Sequence, residues 1–190
     1  PLKKLLLPFG IASFIGGLLG ALLLLRTSGD TFRAMVPWLL LTATLIFAFG
    51  GTIVGRLRAD HHRPAAHPSR ASSVMGLLLQ VVISTYGGFF GGGMGFIMLA
   101  TFTAIGMEDI HLMNGLKNWC AVWINGVAIV TFIAAGIVTW PHTLVMLVGA
   151  VIGGYGGAHS AKKLDPVLVR RFVIALGFFL TAYFFLEGGS

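Results

Sequence analysis

Residues Thr85-Tyr-Gly-Gly-Phe-Phe-Gly-Gly-Gly-Met-Gly-Phe96 place six glycines in the middle of an uncharged run that covers positions 71–107. Glycine interrupts a helix because it has no Cβ atom and adopts backbone conformations that other residues avoid. Inside hydrocarbon, non-helical backbone survives only where it is buried in protein or lines a wet cavity. Broken membrane helices of this kind form the substrate sites of many secondary transporters. The stretch therefore predicts a broken membrane helix and, beside it, a binding site.

The composition predicts an integral membrane protein. Of the 190 residues, 56% are hydrophobic and 10% are charged, and the mean hydropathy is +0.91. A soluble domain has about 25% charged residues. The 13 basic residues outnumber the 6 acidic ones, but most of them lie in short loops between apolar segments, where basic residues determine topology. We therefore expect the chain to contact lipid and expect no nucleic-acid partner.

Six charge-free intervals are each compatible with at least one membrane crossing by a helix. They cover positions 5–25, 34–55, 71–107, 118–139, 143–161 and 172–186. The third is too long for one simple helix. The turn Trp140-Pro141-His142 is expected to end the fourth, because proline disfavours helix continuation. The predicted fold class is an all-α, polytopic helical membrane protein with a glycine-broken, re-entrant helix and internal repeats.

The charges of the loops favour a re-entrant path for residues 71–107. Loop 56–73 carries four arginines against one acidic residue, so the positive-inside rule places it in the cytoplasm. Loop 162–171 is also basic. It reaches the cytoplasm only if segment 71–107 enters and leaves on the same side, as two half-helices that meet at the glycines. The alternative, a single broken crossing, would leave that loop outside.

An internal repeat is visible when the chain is shifted by 137 positions, the separation of Gly16 and Gly153. The same shift superimposes Gly17 on Gly154, Gly20 on Gly157, Arg26 on Lys163 and Arg33 on Arg170. Small residues four apart let membrane helices approach closely. We therefore assign a helix-packing role to Gly16, Gly20, Gly149, Gly153 and Gly157. A chance match between glycine-rich helices is the alternative, and association into a homo-oligomer is left open.

The repeat divides the chain into three parts. Residues 1–55 would be the last two transmembrane helices of a first repeat, 56–73 a basic cytoplasmic linker, and 74–190 a second repeat. The second repeat would contain a broken helix at 74–106 and helices at about 112–139, 142–161 and 166–186. The first-repeat counterpart of the glycine break would precede Pro1, so we expect the front of a longer protein to be missing. The two repeats are expected to be inverted in the membrane.

The helix that follows the glycines carries one polar stripe. At 100° per residue, Asn114, Lys117, Asn118 and Asn125 fall within about a 100° arc. The two tryptophans of this helix point to the opposite side, towards lipid or a neighbouring helix. Lys117 is the only charged residue inside this apolar helix, and such residues usually face a cavity or a partner.

We interpret the stripe and the glycine break as a binding site for a small anion. Lys117 would supply a positive charge, the asparagines would supply neutral donors, and half-helix amino ends at the break favour negative charge. The predicted substrate-binding residues are Gly87, Gly88, Gly91, Gly92, Gly93, Gly95, Asn114, Lys117, Asn118 and Asn125. In the alternative interpretation, Lys117 snorkels to the lipid headgroups and the asparagines bond to neighbouring helices.

The sequence predicts no other chemistry. The six acidic residues all lie in loops or at helix ends, so there is no buried carboxylate relay. There is also no Cys/His metal spacing and no nucleophile next to a base. We therefore expect no enzyme activity, no catalytic residue, no cofactor and no metal site. The expected partners are a small anionic substrate and the lipid bilayer.

Three motifs carry a resemblance to a known family. Gly87-Gly-Phe-Phe-Gly-Gly-Gly-Met-Gly95, Asn114-Gly-Leu-Lys-Asn118 and Gly153-Gly-Tyr-Gly-Gly-Ala158, in this order and spacing, resemble the second half of the TauE/SafE sulfite exporter family. The resemblance covers essentially all 190 residues. It implies a multi-pass permease of a bacterial or archaeal inner membrane that carries sulfite, a sulfonate or another small organosulfur anion. The family has two related four-helix halves, and its first glycine-rich segment has no counterpart here.

Two other functions are compatible with the same features. A non-transporting assembly or scaffold subunit would use its glycine faces to associate with a partner, and a passive anion channel would conduct without saturating. Bulky residues at Gly92 or Gly93 should stop transport in a permease. In an assembly subunit, Gly153 and Gly157 should control association instead.

Overall fold

The computed structural model describes residues 2–60, 70–107, 109–161 and 165–187, and within these ranges all regular structure is helical. The helices are α1 (Leu2–Arg26), α2 (Gly29–Asp60), α3 (Arg70–Phe89), α4 (Met94–Ala104), α5 (Ile110–Ala134), α6 (Trp140–Ala161) and α7 (Pro166–Glu187). Among the described residues, four helical segments are long and apolar enough to cross a membrane: Leu5–Arg26, Gly29–Arg56, Ile110–Ala134 and Val167–Leu186. Helices α3 and α4 are apolar but shorter. The predicted all-α, polytopic membrane fold is confirmed.

Two predicted boundaries are wrong. Helix α5 ends at Ala134 rather than near residue 139, because Gly136 adopts a φ of 71° and turns the chain. Helix α6 begins at Trp140, so Pro141 lies in the first turn of a helix and does not end one. Proline suits that position because a first-turn N–H has no intrahelical acceptor to lose.

Helical structure extends into both ends of the predicted linker. Helix α2 continues to Asp60, and α3 begins at Arg70, so both ends of segment 56–73 are helical. Positions 61–69 lie outside the described residues. The predicted division of the chain at this linker stays a prediction.

Helices α3 and α4 form an antiparallel hairpin. A Cβ atom placed on Gly76, near the start of α3, would be 3.2 Å from Cγ2 of Ile105, which follows the end of α4. Near the glycines, a Cβ atom on Gly87 would be 2.6 Å from Sδ of Met94, the first residue of α4. The chain therefore turns back at the glycines, and the outer ends of both helices lie together. A re-entrant segment requires this geometry, whereas a single broken crossing would separate Gly76 from Ile105.

The core lies where α1, α3, α4 and α5 meet. The rings of Phe9 and Phe102 pack edge to face, with centroids 5.6 Å apart, and neither side chain is exposed by more than 2%. Around them the buried cluster contains Ile83, Met98, Met113, Leu116, Cys120 and Ile124. This core fixes the hairpin against α1 and α5.

A buried polar group links α1 to α3. The Nε2 atom of Gln80 donates to Oγ of Ser13 at 3.0 Å and to Oγ of Ser84 at 3.1 Å, and all three side chains are fully buried. Bonds of this kind hold membrane helices together because the surrounding lipid offers no substitute. The Oε1 atom of Gln80 has no hydrogen-bond partner among the described residues.

The glycines of α1 let it approach α3 closely. A Cβ atom on Gly16 would be 2.6 Å from Cβ of Ser84, and one on Gly20 would overlap the backbone carbonyl of Thr85. On α5, Cα of Ile124 would be 2.9 Å from a Cβ atom on Gly17. Gly16, Gly17 and Gly20 therefore occupy positions where a side chain would collide with the backbone of a neighbouring helix.

The glycines of α6 have the opposite surroundings. Nothing lies within 4 Å of a Cβ atom placed on Gly149, Gly153 or Gly157. Every α6 side chain whose placement is described is exposed. Within the described part of the chain, α6 therefore stands apart from the core.

Helix α7 packs antiparallel on α2. The rings of Trp38, near the start of α2, and Phe185, near the end of α7, have centroids 5.1 Å apart. At the other end, Nη2 of Arg170 donates to the carbonyl oxygen of Ala48 at 2.6 Å. Helix α2 also contacts α4, which joins the α2/α7 pair to the hairpin.

Candidate functional site

The tip of the α3/α4 hairpin depends on glycine conformations. Gly91 and Gly93 have φ values of 81° and 76°, in the left-handed region that favours glycine. Gly93 is the N-cap of α4, and it provides no side-chain cap. The first N–H groups of a helix lack intrahelical acceptors, so the amino end of α4 presents donors and a partial positive charge.

Tyr86 ties the tip to α3, a role that the sequence analysis missed. Its hydroxyl donates to the carbonyl oxygen of Gly92 at 2.6 Å, across six positions of the chain. The only sequence signal is that a tyrosine directly precedes the glycines in an apolar helix. A buried tyrosine hydroxyl usually finds a hydrogen-bond partner.

Lys117 of α5 lies beside the amino end of α4. A Cβ atom placed on Gly95 would be 3.4 Å from Cδ of Lys117, so the lysine stem passes over the first turn of α4. Its Nζ atom donates to Oδ1 of Asn114 at 3.1 Å, and the side chain is half-buried. In the described ranges, no carboxylate pairs with this ammonium group.

The local structure of α5 positions these two polar side chains. Asp109 caps the helix, and its Oδ1 atom accepts from the backbone N–H groups of His111 and Leu112 at 2.8 and 3.2 Å. The Nδ2 atom of Asn114 donates to the carbonyl oxygen of Ile110 at 3.0 Å, which leaves Oδ1 to accept from Lys117. The asparagine therefore orients the ammonium group through neutral hydrogen bonds.

The polar stripe of α5 is divided between two surroundings. Lys117 lies against the first turn of α4 and the half-buried Asn114 bonds to it, while Asn118 and Asn125 are exposed. The Nδ2 atom of Asn125 donates to the carbonyl oxygen of Ala121 on its own helix, at 2.8 Å. The structure therefore brings Lys117 to the amino end of α4, with Asn114 bonded to it, and leaves the other two stripe residues exposed on α5.

The predicted glycines also have different neighbours. A Cβ atom on Gly88 would be 2.9 Å from Cα of Gly17 on α1, so Gly88 faces a helix contact and not an open site. Gly92 and Gly93 face α2, where the nearest α2 atoms would be Cβ of Ala43 at 3.0 Å and Cγ2 of Ile46 at 3.1 Å. Gly87 faces α5 and Met94, and the nearest atom to a Cβ on Gly91 would be the carbonyl oxygen of Gly87. Among the described residues, Lys117 is the nearest neighbour of Gly95 and is not among the nearest neighbours of the other five glycines.

The two tryptophans of α5 contact α1. The Nε1 atom of Trp119 donates to the carbonyl oxygen of Leu6 at 2.9 Å, and the Trp119 and Trp123 rings pack edge to face at 5.7 Å. With Leu7, Gly10, Ile11 and Phe14 they line an apolar cavity of about 180 Å³. The side of α5 opposite the polar stripe is therefore a helix interface.

Three bacterial sequences illustrate the similarity of the chain to known proteins. A "Probable membrane transporter protein" of Haemophilus influenzae is 29% identical over 177 residues, which are 89% of this chain and 63% of that protein. "Probable membrane transporter protein ORF9" of a Sinorhizobium species is 31% identical over 168 residues, 86% of this chain and 61% of its own length. "Probable membrane transporter protein YfcA" of Escherichia coli K12 is 27% identical over 179 residues, 90% and 60% respectively.

The chain thus spans about three fifths of the length of these relatives. No solved structure matches it significantly. The family model named "Sulfite exporter TauE/SafE" matches residues 2–184, nearly the whole chain. On this match, the polypeptide is a multi-pass membrane protein that belongs to the TauE/SafE sulfite exporter family.

Proposed function

We propose that this chain forms part of a secondary membrane transporter for a small sulfur-containing anion, such as sulfite or an organosulfonate, in the inner membrane of a bacterium or archaeon. The observation that carries the proposal is the position of Lys117 against Gly95, at the uncapped amino end of α4. The family name and the names of the bacterial relatives support the transport of sulfite in particular and membrane transport in general.

The charges at the hairpin tip favour an anionic ligand. Lys117 is a basic residue, and Asn114, its hydrogen-bond partner among the described residues, is neutral. Ionisable residues in membrane spans usually pair with a counter-charge or face a cavity. The helix dipole of α4 adds positive potential at the same place. A sulfite or sulfonate group has three oxygen acceptors, so it can bind the ammonium group and backbone N–H groups together.

The decisive experiment measures the uptake of radiolabelled sulfite into proteoliposomes that contain the protein as its gene encodes it. Lys117→Met should abolish saturable flux, while Lys117→Arg, which keeps the charge, should retain part of it. Arg33→Met removes an exposed charge of the same sign from α2 and is the matched control. If Lys117 only snorkels to the headgroups, Lys117→Met will transport like the control, and the site assignment is then wrong.

Two further observations separate the alternatives. A passive channel would give flux that rises with sulfite concentration without saturating. A non-transporting assembly subunit would give no flux, and the exposed glycines of α6 are the feature that favours it. In that case Gly153→Leu would disrupt association, whereas Gly92→Leu would change no flux because there would be none to change.

A further inference from the structure

The apolar cavity between α1 and α5 is an open groove on the outside of the helix cluster. It has a volume of about 180 Å³, and the rings of Trp119 and Trp123 form its α5 side. Leu7 and Ile11, which line it from α1, are 70% and 52% exposed. Both helices are long and apolar enough to cross a membrane. In a bilayer, this surface, which we call the α1/α5 groove, therefore faces lipid.

The size and the lining of the α1/α5 groove suit a hydrocarbon ligand. Apolar cavities of about 150 Å³ bind benzene in soluble proteins and otherwise stay dry. Atoms that line an empty space lose their van der Waals partners on that side. In a membrane, the acyl chain of a lipid can supply those partners. The groove therefore fits part of an acyl chain better than it fits water.

One hydrogen-bond donor at the groove has no acceptor. The Nε1 atoms of Trp119 and Trp123 converge on Gly10, since they would be 3.0 and 3.2 Å from a Cβ atom placed there. Trp119 donates to the carbonyl oxygen of Leu6, whereas Nε1 of Trp123 has no hydrogen-bond partner among the described residues. An N–H group without an acceptor is costly in hydrocarbon. A ligand with an oxygen atom next to its acyl chain would satisfy this donor.

The groove lies at the cytoplasmic end of α1. The carbonyl group of Leu6, which bonds to Trp119, is near the start of this helix. A Cβ atom on Gly76, near the start of α3, would be 3.7 Å from Cζ of Phe9, so the starts of α1 and α3 lie together. Segment 56–73, which leads into α3, carries four arginines, and the positive-inside rule places it in the cytoplasm. The groove therefore faces the leaflet that is rich in anionic phospholipids.

Two lysines precede the groove in the sequence of α1. Lys3 and Lys4 come four and three positions before Leu7. Residues three or four positions apart share a side of a helix, and α1 is helical from Leu2 onwards. Basic residues next to a membrane-spanning helix attract anionic headgroups. The charges and the apolar groove are therefore complementary to a single amphiphile with a negative headgroup.

We propose that the α1/α5 groove binds one molecule of an anionic phospholipid from the cytoplasmic leaflet. One acyl chain fills the groove, an ester oxygen accepts from Nε1 of Trp123, and the phosphate group lies at the start of α1. This site is on the side of α5 opposite Lys117. The assignment is therefore independent of the anion site and holds whether or not the protein transports sulfite.

The first experiment measures lipid retention by native mass spectrometry of the protein as its gene encodes it. The probes are phosphatidylglycerol and phosphatidylcholine with identical acyl chains. The parent protein should retain one phosphatidylglycerol molecule and should prefer it to phosphatidylcholine by about fivefold for each lysine. Replacing both lysines, by Lys3→Gln and Lys4→Gln, should remove this preference and leave the binding of phosphatidylcholine unchanged. A preference that persists without the lysines overturns the proposal.

Variants of the groove itself test where the lipid lies. Ile11→Trp fills the groove and should abolish retention, whereas Leu23→Trp, at another α1 position that is 52% exposed, is the matched control and should retain the lipid. Trp123→Phe keeps a ring but removes the N–H donor, so it should weaken the retention of both lipids. Equal retention by the Ile11 and Leu23 variants overturns the proposal. Loss of a dimer instead of a lipid in Ile11→Trp also overturns it, because a second copy would then occupy the groove.

The second experiment needs no change in the groove, so it remains informative if Ile11→Trp fails to fold. Bromine atoms on an acyl chain quench tryptophan fluorescence on contact. One form of the gene-encoded protein keeps Trp119 and Trp123 as its only tryptophans, and a control form keeps only Trp38 and Trp140, which are 62% and 54% exposed. Both are placed in phosphatidylcholine bilayers that contain a small fraction of either brominated phosphatidylglycerol or brominated phosphatidylcholine.

The two tryptophan pairs should respond differently to the brominated lipids. Brominated phosphatidylglycerol should quench the groove pair more than the same fraction of brominated phosphatidylcholine, whereas the control pair should be quenched equally by both. Equal quenching of the groove pair by the two lipids overturns the proposal. The absence of quenching at the groove also overturns it, because protein would then cover the groove.

Discussion

Helices α1 and α6 carry nearly the same glycine pattern, yet among the described residues the α1 glycines pack against α3 and α5, whereas the α6 glycines contact nothing. Gly20 lies against the backbone of α3, while its counterpart Gly157 touches nothing among the described residues. Glycine spacing therefore predicts that a helix permits close approach, but it does not predict that the partner is present. The stability of these 190 residues should accordingly reside in the α1, α3, α4 and α5 cluster, and substitutions on the two sides should differ sharply.

The largest effect is expected from Gly20→Leu. The new Cβ atom would overlap the carbonyl oxygen of Thr85 and lie 2.7 Å from the backbone nitrogen of Phe89, and neither can move without shifting α3. Overpacking costs about 1–3 kcal/mol where the neighbours are side chains, and more where they are backbone. We expect loss of the monodisperse peak in fluorescence-detected size-exclusion chromatography. Gly157→Leu in the 190-residue chain is the matched control, and an equal loss there would contradict the difference between the helices.

The second effect is expected from Phe102→Ala. This ring is fully buried against Phe9, so its removal leaves a cavity. Such truncations cost about 3–5 kcal/mol in soluble cores, and we expect about 2 kcal/mol here because lipid replaces water as the solvent of the separated helices. Thermal unfolding in detergent measures the change. Phe179→Ala removes a ring that is 67% exposed on α7 and should have little effect; similar melting temperatures for the two variants would show that the core is not where we place it.

A third substitution, Gly93→Ala, tests the hairpin tip. The φ of 76° at this residue is unfavourable for alanine, at a cost of about 1–2 kcal/mol, and the added methyl group would lie 3.1 Å from Cγ2 of Ile46. We expect a lower melting temperature and, if the tip forms the substrate site, reduced sulfite flux. Gly29→Ala adds the same methyl group at a position with nothing within 4 Å. If Gly93→Ala changed the melting temperature in the same way as Gly29→Ala, the hairpin tip would impose no backbone strain on alanine.

The smallest effect is expected from Tyr155→Ala on α6. This side chain is 80% exposed, and substitutions at exposed positions change stability by about 0.5 kcal/mol or less. The melting temperature of the 190-residue chain should stay within experimental error of the parent. A large drop in the melting temperature would mean that a partner packs on α6 in detergent solution. Multi-angle light scattering would then show whether that partner is a second copy of the chain.

The sequence was sufficient to predict the break and the direction of the chain through it. An uncharged run too long for one crossing, with six glycines at its centre, allowed few structures other than two half-helices. The basic loops then favoured a hairpin, and the contact between Gly76 and Ile105 has the geometry that this prediction requires. Local composition and charge decide such features, so a single sequence contains the necessary information.

The sequence predicted which residues of α5 share a face, but not what each face contacts. Helical periodicity placed Lys117 and Asn125 within one arc, but it could not indicate that α4 covers one edge of that arc and leaves the other open. It also could not indicate that Trp119 bonds to Leu6, because that contact joins residues 113 positions apart. Long-range packing decides these surroundings, and periodicity carries no information about it.

The tip was predicted as a group of equivalent glycines, but the structure gives them separate roles. Gly91 and Gly93 supply left-handed backbone, Gly88 permits the approach of α1, and Gly95 lies under Lys117. A missing side chain looks the same in each case, so the sequence cannot separate a turn from a contact. The part of Tyr86 in holding the tip depends in the same way on where the chain folds back.

The bond between Trp119 and Leu6 has a consequence for the order of events during biosynthesis. At about 5–20 residues per second, a ribosome needs roughly 6–23 s to make the 113 residues that separate the two partners. During that interval α1 is already in the membrane, but α3 and α5, which later cover its glycines, are not yet both complete. Each newly made α1 must therefore be kept away from other glycine-rich helices for seconds, and substitutions in α1 will change the yield of correctly inserted protein before they change its melting temperature.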